Sequence, residues 1–153
     1  MRFFVGALLM LSHVKSILQP RWRRSPAFEA KSEPVLSLRE GELAVVTYTS
    51  AANKLKIFSA FVREGLESGD LVFYTYPDEE EAAVRQNLKQ NRVDVSKCER
   101  DGRLVLVNLT GHYLAEGEFD KKKIIKRELE MRAEAKRKGY KHFRDLDDVG
   151  DFS

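Results

Sequence analysis

The stretch that decides the fold is ELAVVTY, residues 42–48. It is mostly apolar and rich in β-branched residues along its whole length, which is typical of a strand buried on both faces of a parallel sheet. The next two residues, Thr49 and Ser50, predict the N-terminal cap of a helix. A strand followed directly by a helix is the repeating unit of α/β folds, so we expect an α/β domain that begins here.

The pattern then repeats along the chain. A helix with an apolar face ends at Ser68-Gly69, and further strands are predicted at residues 71–76 and 103–109 and from His142 onward. Helices are predicted after Pro77 and at residues 121–138, the latter with Ile124, Ile125, Leu129 and Ala133 as its buried stripe, and residues 110–118 are predicted to form a loop. The order β-α-β-α-β-α-β predicts a three-layer α/β/α fold with a mainly parallel sheet.

The segment after the first strand lacks a phosphate-binding loop. Such a loop needs the pattern GxxxxGK[ST], because its glycines let backbone N–H groups wrap the phosphates. Residues 48–55 read YTSAANKL, so Lys54 stands on the first helix without that cradle. The three histidines are far apart in sequence and Cys98 is the one cysteine. We therefore expect no catalytic residues, no metal site and no cofactor.

Ligands of parallel sheets bind at the carboxyl ends of the strands. Aromatic walls there suit a small apolar ligand. The candidate ligand-binding residues are Tyr48, Thr49, Ser50, Tyr74, Tyr76, Asp78, His112, Tyr113 and Arg144. Asp145, Asp147 and Asp148 are interpreted as a solvated acidic turn after the last strand, with a magnesium site as the alternative.

Residues 1–40 differ in composition from the rest of the chain. Apolar residues from Phe4 to Leu18 recur at helical spacing, and a basic linker with three prolines follows, so we expect an N-terminal amphipathic helix and a linker ahead of a domain at residues 41–153. Packing or contact with a partner is the favoured role of this helix. Contact with a membrane surface and an uncleaved signal peptide remain alternatives.

Charge is distributed unevenly between these two parts. Residues 1–40 carry seven bases and three acids, whereas residues 41–153 carry 20 bases and 21 acids. The basic balance of the chain therefore belongs to the N-terminal part, and we expect no nucleic acid as a partner of the main domain. A single cysteine fits a cytoplasmic location.

The main domain resembles the MEDS family of sensory domains. The resemblance covers residues 42–144 and is carried by short landmarks in order: FVREGLESGD at 61–70, VDV at 93–95, GRLVL at 102–106, GEFD at 117–120 and GYKHFR at 139–144. It implies a RecA/KaiC-like fold that has lost its nucleotide motif and senses small organic molecules in prokaryotic signalling proteins. The sequence departs from the family pattern in two ways. Relatives carry a histidine where this chain has Glu40-Gly41-Glu42. We also expect the domain to be truncated at the C-terminus, which would expose a sheet edge that the N-terminal helix or a second subunit covers.

These observations lead to three hypotheses about function. The first is a non-catalytic sensory domain that binds a small organic ligand, a signalling protein or a second copy of itself at the carboxyl ends of the strands. The second is an enzyme, a divergent RecA/KaiC-like nucleotide-binding ATPase. The third is an interaction or dimerisation module that acts through its N-terminal helix.

Overall fold

The computed structural model describes residues 4–12, 43–48, 50–115 and 117–150. Within them the chain forms an α/β domain with five strands and five helices. The strands are β1 Phe4–Ser12, β2 Leu43–Tyr48, β3 Leu71–Tyr76, β4 Leu104–Asn108 and β5 Phe143–Asp148. The helices are α1 Ala51–Ser68, α2 Glu81–Gln90, α3 Val95–Arg100, α4 Leu109–Tyr113 and α5 Lys121–Arg137, and a 3₁₀ turn at Asp78–Glu80 precedes α2.

The strands form one sheet in the order β2-β1-β5-β3-β4. Strand β3 pairs in parallel with both β4 and β5, which confirms the predicted parallel arrangement for these three strands. Strand β1 pairs antiparallel with both β2 and β5, so β2 runs in the same direction as the other three. The carboxyl ends of β2, β3, β4 and β5 therefore lie along the same edge of the domain.

The prediction of a helix at the N-terminus is wrong for residues 4–12, which form the inner strand β1. This segment is almost continuously apolar, and periodicity alone cannot separate a buried strand from a buried helix in such a run. The position of this segment between β2 and β5 decides the outcome, because β1 forms backbone hydrogen bonds with both of them. The pairing with β2 is irregular between Val5 and Ala7. The predicted linker and the rest of the predicted helix lie outside the described residues.

The larger part of the core lies between the sheet and helices α1, α2 and α3. Helix α1 begins at Ser50, whose hydroxyl accepts the N–H of Asn53 at 3.2 Å, and it ends at Gly69 with φ +84°. Its apolar face buries Phe58, Phe61 and Val62 completely against the strands. The capping residues thus fix the ends of α1, and its apolar stripe fixes which face it presents to the sheet.

The second face of the sheet packs on α5 through a smaller core that contains Leu71, Phe73 and Phe143. Of the stripe predicted to be buried on α5, Ile124 is buried, whereas Ile125 and Leu129 are 45% and 46% exposed. The helix is therefore in contact with the sheet through a narrower face than its apolar pattern indicates. Helices cover both faces, as predicted.

Three further details differ from the sequence prediction. Residues 95–100 form the short helix α3, whose cap is the Asp94 carboxylate. Leu109, predicted to end the third strand, forms α4 together with residues 110–113 of the predicted loop. The last strand extends to Asp148, so the three aspartates expected in a solvated turn lie within β5 and are buried. Pairing with β1 and β3 on both sides overrides the polarity that ended the predicted strand.

We expect Gly65→Ala to destabilise the protein by about 1–3 kcal/mol, although alanine favours helices. The added Cβ would lie 2.6 Å from Cδ of Arg144 and 2.8 Å from Cγ2 of Val72, so the helix could not keep its distance from the sheet. Urea unfolding measures the change. Ser68→Ala on the exposed side of α1 is the control, and equal stability of the two variants would contradict this packing.

Candidate functional site

Two clusters of buried polar side chains lie towards the carboxyl end of β5, one on each face of the sheet. Neighbouring residues of a strand point to opposite faces, so Asp145 and Asp147 face α5 while Asp148 faces α1. We call the first group the aspartate cluster and the second the lysine cluster. The aspartate cluster comprises Asp145, Asp147, His112, Tyr113 and Glu128. The lysine cluster comprises Lys54, Glu80, Asp148 and Tyr74.

The lysine cluster is an internal network of ion pairs. The Nζ atom of Lys54 lies 2.9 Å from Oδ2 of Asp148 and 2.5 Å from Oε2 of Glu80. Lys54 and Asp148 are buried, and the second oxygen of Asp148 accepts the backbone N–H of Gly150 at 3.1 Å. The cation and the anions at this end of α1 therefore satisfy one another, whereas the buried hydroxyl of Tyr74 has no hydrogen-bond partner in the described part of the chain.

The pKa directions follow from this burial and pairing. Desolvation would lower the pKa of Lys54, but its contacts with Asp148 and Glu80 more than compensate and raise it. Burial raises the pKa of Asp148, and the hydrogen bond and charge of Lys54 offset part of that rise. Burial also raises the pKa of Tyr74 well above its ordinary value. Lys54 stays charged at neutral pH, so its ammonium group is held as the partner of two carboxylates.

The aspartate cluster is built differently, because several acids converge there from different elements. Asp145 and Asp147 come from β5, and Glu128 comes from α5. The hydroxyl of Tyr113 donates to Asp147, and the ring of His112 lies 4.5 Å from the ring of Tyr113. These contacts place the end of α4 directly beside the end of β5.

Several polar atoms of this cluster are buried without a hydrogen-bond partner. They are Oδ1 of Asp145, Oδ1 of Asp147 and Nδ1 of His112, in side chains that are 7%, 6% and 2% exposed. An unmade hydrogen bond at a buried polar group costs about 1–3 kcal/mol. The hydroxyls of Thr75 and Tyr113 lie on the same face and hydrogen-bond Asp147, so only part of the hydrogen-bonding capacity of the cluster is unused.

Burial dominates the electrostatics of the aspartate cluster. It raises the pKa of Asp145 well above the ordinary range, and the neighbouring charge of Asp147 adds to the rise. Burial also raises the pKa of Asp147 and of Glu128, and it lowers the pKa of His112. At neutral pH His112 is therefore uncharged, and the carboxyl groups compete for protons.

The structure divides the predicted ligand-binding residues between the two faces. Tyr48, Tyr74 and Tyr76 are buried on the α1 side, where Tyr74 and Tyr76 contact edge to face with ring centroids 6.2 Å apart. His112 and Tyr113 lie on the α5 side, next to Phe73. The sheet separates these two groups, so they do not line a common cleft.

The remaining predicted residues have structural partners. Ser50 caps α1, and the exposed Asp78 accepts hydrogen bonds from the backbone and hydroxyl of Thr110, which lower its pKa. Arg144 lies at the opposite end of β5, where its Nε is 2.6 Å from Oδ2 of the buried Asp70. Thr49 is outside the described residues.

Sequence reasoning missed the acids that carry both clusters. In the sequence, Lys54 stood out only because no phosphate-binding loop precedes it. Its partners Glu80 and Asp148 are 26 and 94 positions away in the chain. Alternation along FRDLDD, residues 143–148, is the signal that could have placed the aspartates on two faces.

Two absences complete the description of the site. Among residues 4–12, 43–48, 50–115 and 117–150, no group of three or more His, Cys, Asp or Glu side chains is arranged to hold a metal ion. In the same part of the chain, no helix combines the length and apolar character needed to cross a bilayer.

We expect Lys54→Met to destabilise the protein by about 3–5 kcal/mol, because it leaves the buried carboxylate of Asp148 without its cation. The double variant Lys54→Met/Asp148→Asn should recover most of that loss, since the unpaired charge is then removed as well. Urea unfolding at neutral pH measures both. Lys56→Met, an exposed lysine on the same helix, is the control, and a loss equal to that of Lys54→Met would contradict the pairing.

We expect Asp145→Asn to stabilise the protein by about 1 kcal/mol at neutral pH. The folded-state pKa of Asp145 is raised, so its contribution to stability is fully present at low pH and is lost as the pH rises and the buried carboxyl ionises. The gain should disappear below about pH 3, under the ordinary pKa of aspartate, where both states hold the proton. Urea unfolding at both pH values measures the gain, and Asp101→Asn at an exposed position is the control. A gain that does not change with pH would contradict this prediction.

Comparisons with known proteins agree with the landmarks in the sequence. Residues 44–150 match the family model described as MEDS, MEthanogen/methylotroph, DcmR Sensory domain. Neither the curated proteins nor the solved structures provide a match. The family match covers more than half of the 153 residues and includes α1 to α5 and β3 to β5. The chain therefore belongs to the MEDS family of sensory domains.

Proposed function

We propose that this chain is a non-catalytic sensory domain that binds a small organic ligand at the carboxyl ends of β3 and β5, on the side of the aspartate cluster. The observation that carries the proposal is the set of buried polar atoms without a hydrogen-bond partner on Asp145, Asp147 and His112. Buried polar groups are normally paired, and unpaired ones are retained where function needs them. The sensory description of the family supports the same role.

The other face of the sheet is less suited to a ligand. On the α1 side, Lys54 is already enclosed by Asp148 and Glu80, and the neighbouring tyrosines are packed into the main core. A ligand would have to break these ion pairs before it could bind. His112 and Tyr113, two of the predicted ligand-binding residues, therefore become the favoured ones, and the tyrosines of the α1 side serve packing.

Nucleotide hydrolysis is the alternative that the lysine cluster argues against. We infer a RecA/KaiC-like ancestry from the position of Lys54 in the first helix after a buried strand. A phosphate group arriving there would meet the carboxylates of Glu80 and Asp148, which would repel it, and no glycine-rich loop would offer backbone N–H groups. The ion pairs thus fill the position that a nucleotide phosphate would need.

A partner protein is a second candidate because α5 exposes apolar side chains. Ile125 and Leu129 lie one turn apart on its outer face, next to Lys122 and Lys126. A signal must pass from a sensory domain to another protein, and an exposed apolar stripe is a suitable contact surface. Light scattering of the chain and of Leu129→Lys tests whether this surface joins two copies, which would show as a dimer that the variant loses.

We expect small organic ligands, screened by thermal unfolding, to include compounds that raise the midpoint by about 2–4 °C for each kcal/mol of binding energy. His112→Gln and Tyr113→Phe should weaken the response to such a compound, whereas Tyr76→Phe on the other face should retain it. ATP with magnesium should neither shift the midpoint nor be hydrolysed. ATP hydrolysis that Lys54→Met abolishes would overturn the proposal in favour of an ATPase.

A further inference from the structure

We propose that the outer face of α5 binds an amphipathic helix of another protein, one that carries acidic side chains on both sides of an apolar stripe. This inference rests on the partner-protein candidate, because it names the chemistry of that partner, and it is independent of a ligand at the aspartate cluster. Three features of α5 support it: its exposed apolar side chains, the lysines around them, and the place of one of these lysines in the first turn.

A shallow apolar groove runs along the outer face of α5. It is lined by Ile125 and Leu129, which are 45% and 46% exposed, and by the small Ala133 one turn further on. Side chains four residues apart on a helix stand next to each other, so these three form one continuous stripe. Anchors with this spacing are typical of surfaces on which one amphipathic helix packs against another.

Lysines border this stripe. Lys122 and Lys126 line the groove, and the exposed Lys136 lies on the same face, two turns beyond Leu129. Glu130 also lines the groove and lies 3.8 Å from Lys126. Both side chains of this pair are largely exposed, so the pair contributes little and Lys126 can exchange Glu130 for an acid of the partner. The face therefore presents an excess of positive charge around an apolar centre.

The place of Lys122 in the helix does not favour the stability of α5. The helix begins after its cap Asp120, and its first turn, residues 121–123, consists of three lysines. The N-terminal end of a helix carries a partial positive charge, so acids are favourable there and bases are not. Such departures from local preference are expected mainly at functional sites. Binding of an acidic partner explains this placement, whereas folding does not.

The charges also decide between possible partners. In a symmetric pair of two copies the same face would meet itself, so lysines would lie close to lysines. A helix that lies in a membrane surface needs a broad apolar face, but this stripe contains two large apolar side chains, Ile125 and Leu129. Two anchors one turn apart match a single partner helix, and carboxylates beside its own apolar stripe would pair with Lys122 and Lys126.

The test measures binding of the full chain to two designed helical peptides by fluorescence anisotropy. Both peptides carry leucines at helical spacing, and the stripe is flanked by glutamates in one and by lysines in the other. The acidic peptide should bind, and added salt should weaken its binding because exposed charges are screened. The lysine peptide offers the same apolar contact and should bind about tenfold more weakly or worse.

Variants locate the binding on α5. Lys122→Glu/Lys126→Glu should weaken the affinity for the acidic peptide about tenfold or more and should strengthen the affinity for the lysine peptide, a gain that an unfolded variant could not show. Lys122→Glu alone should weaken acidic binding without lowering the thermal midpoint, because a glutamate suits the first turn. Lys56→Glu/Lys89→Glu changes the same net charge at exposed positions of α1 and α2 and is the matched control.

The outcomes separate this inference from its alternatives. Binding of the acidic peptide that the double variant exchanges for binding of the lysine peptide supports it. Equal binding of the two peptides overturns it, because apolar contact alone would then suffice, and so does failure of both to bind. A dimer of the full chain that Leu129→Lys disrupts overturns it in favour of a second copy. Binding to vesicles of phosphatidylserine and phosphatidylcholine, without binding of the acidic peptide, overturns it in favour of a membrane.

The ligand screen provides the separate readout for the aspartate cluster. The variants lie on the outer face of α5, so they should leave the stabilisation by a ligand that depends on His112 unchanged. If the acidic peptide fails to bind while such a ligand still raises the midpoint, this inference fails and the proposed ligand-binding function stands.

Discussion

The structure depends on one constraint, the burial of three aspartates in a strand that is paired on both sides. Strand β5 lies between β1 and β3, so its backbone hydrogen bonds are satisfied, and all six of its residues are buried. Each buried carboxyl group must then be neutralised by a cation, a hydrogen bond or a proton. Asp148 uses a cation, whereas Asp145 and Asp147 depend largely on protons and on the hydroxyls of Thr75 and Tyr113.

The different neutralisation of the two faces explains how the rest of the domain is arranged. Ion pairing with Asp148 fixes the first turns of α1 and the 3₁₀ turn before α2, because Lys54 and Glu80 come from these two segments. On the other face, α4 and α5 contribute His112, Tyr113 and Glu128 without completing the hydrogen bonds. The α1 side is therefore held together by ion pairs, and the α5 side is the one on which we propose that a ligand binds.

Much of the fold follows from the sequence, and the reasons for the exceptions are physical. Apolar runs and capping residues located β2, β3, α1 and the start of α5 correctly, because local pattern and burial agree there. The helix predicted at residues 4–12 is wrong because, in an almost continuously apolar segment, helical spacing of some residues does not distinguish a helix from a buried strand. The end of β5 was predicted too early because three aspartates in a run of six residues are typical of an exposed turn. Their burial follows from pairing with β1 and β3, which are distant in the chain. The clusters join residues far apart in the chain, so their contacts depend on topology.

The adjacency of Asp147 and Asp148 joins the two faces through a single peptide bond. A ligand that changes the charge or position of Asp147 acts on the backbone that also holds Asp148 against Lys54. Because Lys54 belongs to α1 and Glu80 to the segment before α2, a displacement there reaches the helices on the far side of the sheet. Coupling of this kind is reciprocal, so the ion pairs of Lys54 would in turn influence ligand affinity at the aspartate cluster. Under the proposed function, a strand with acids on alternate faces would give a sensory domain this connection.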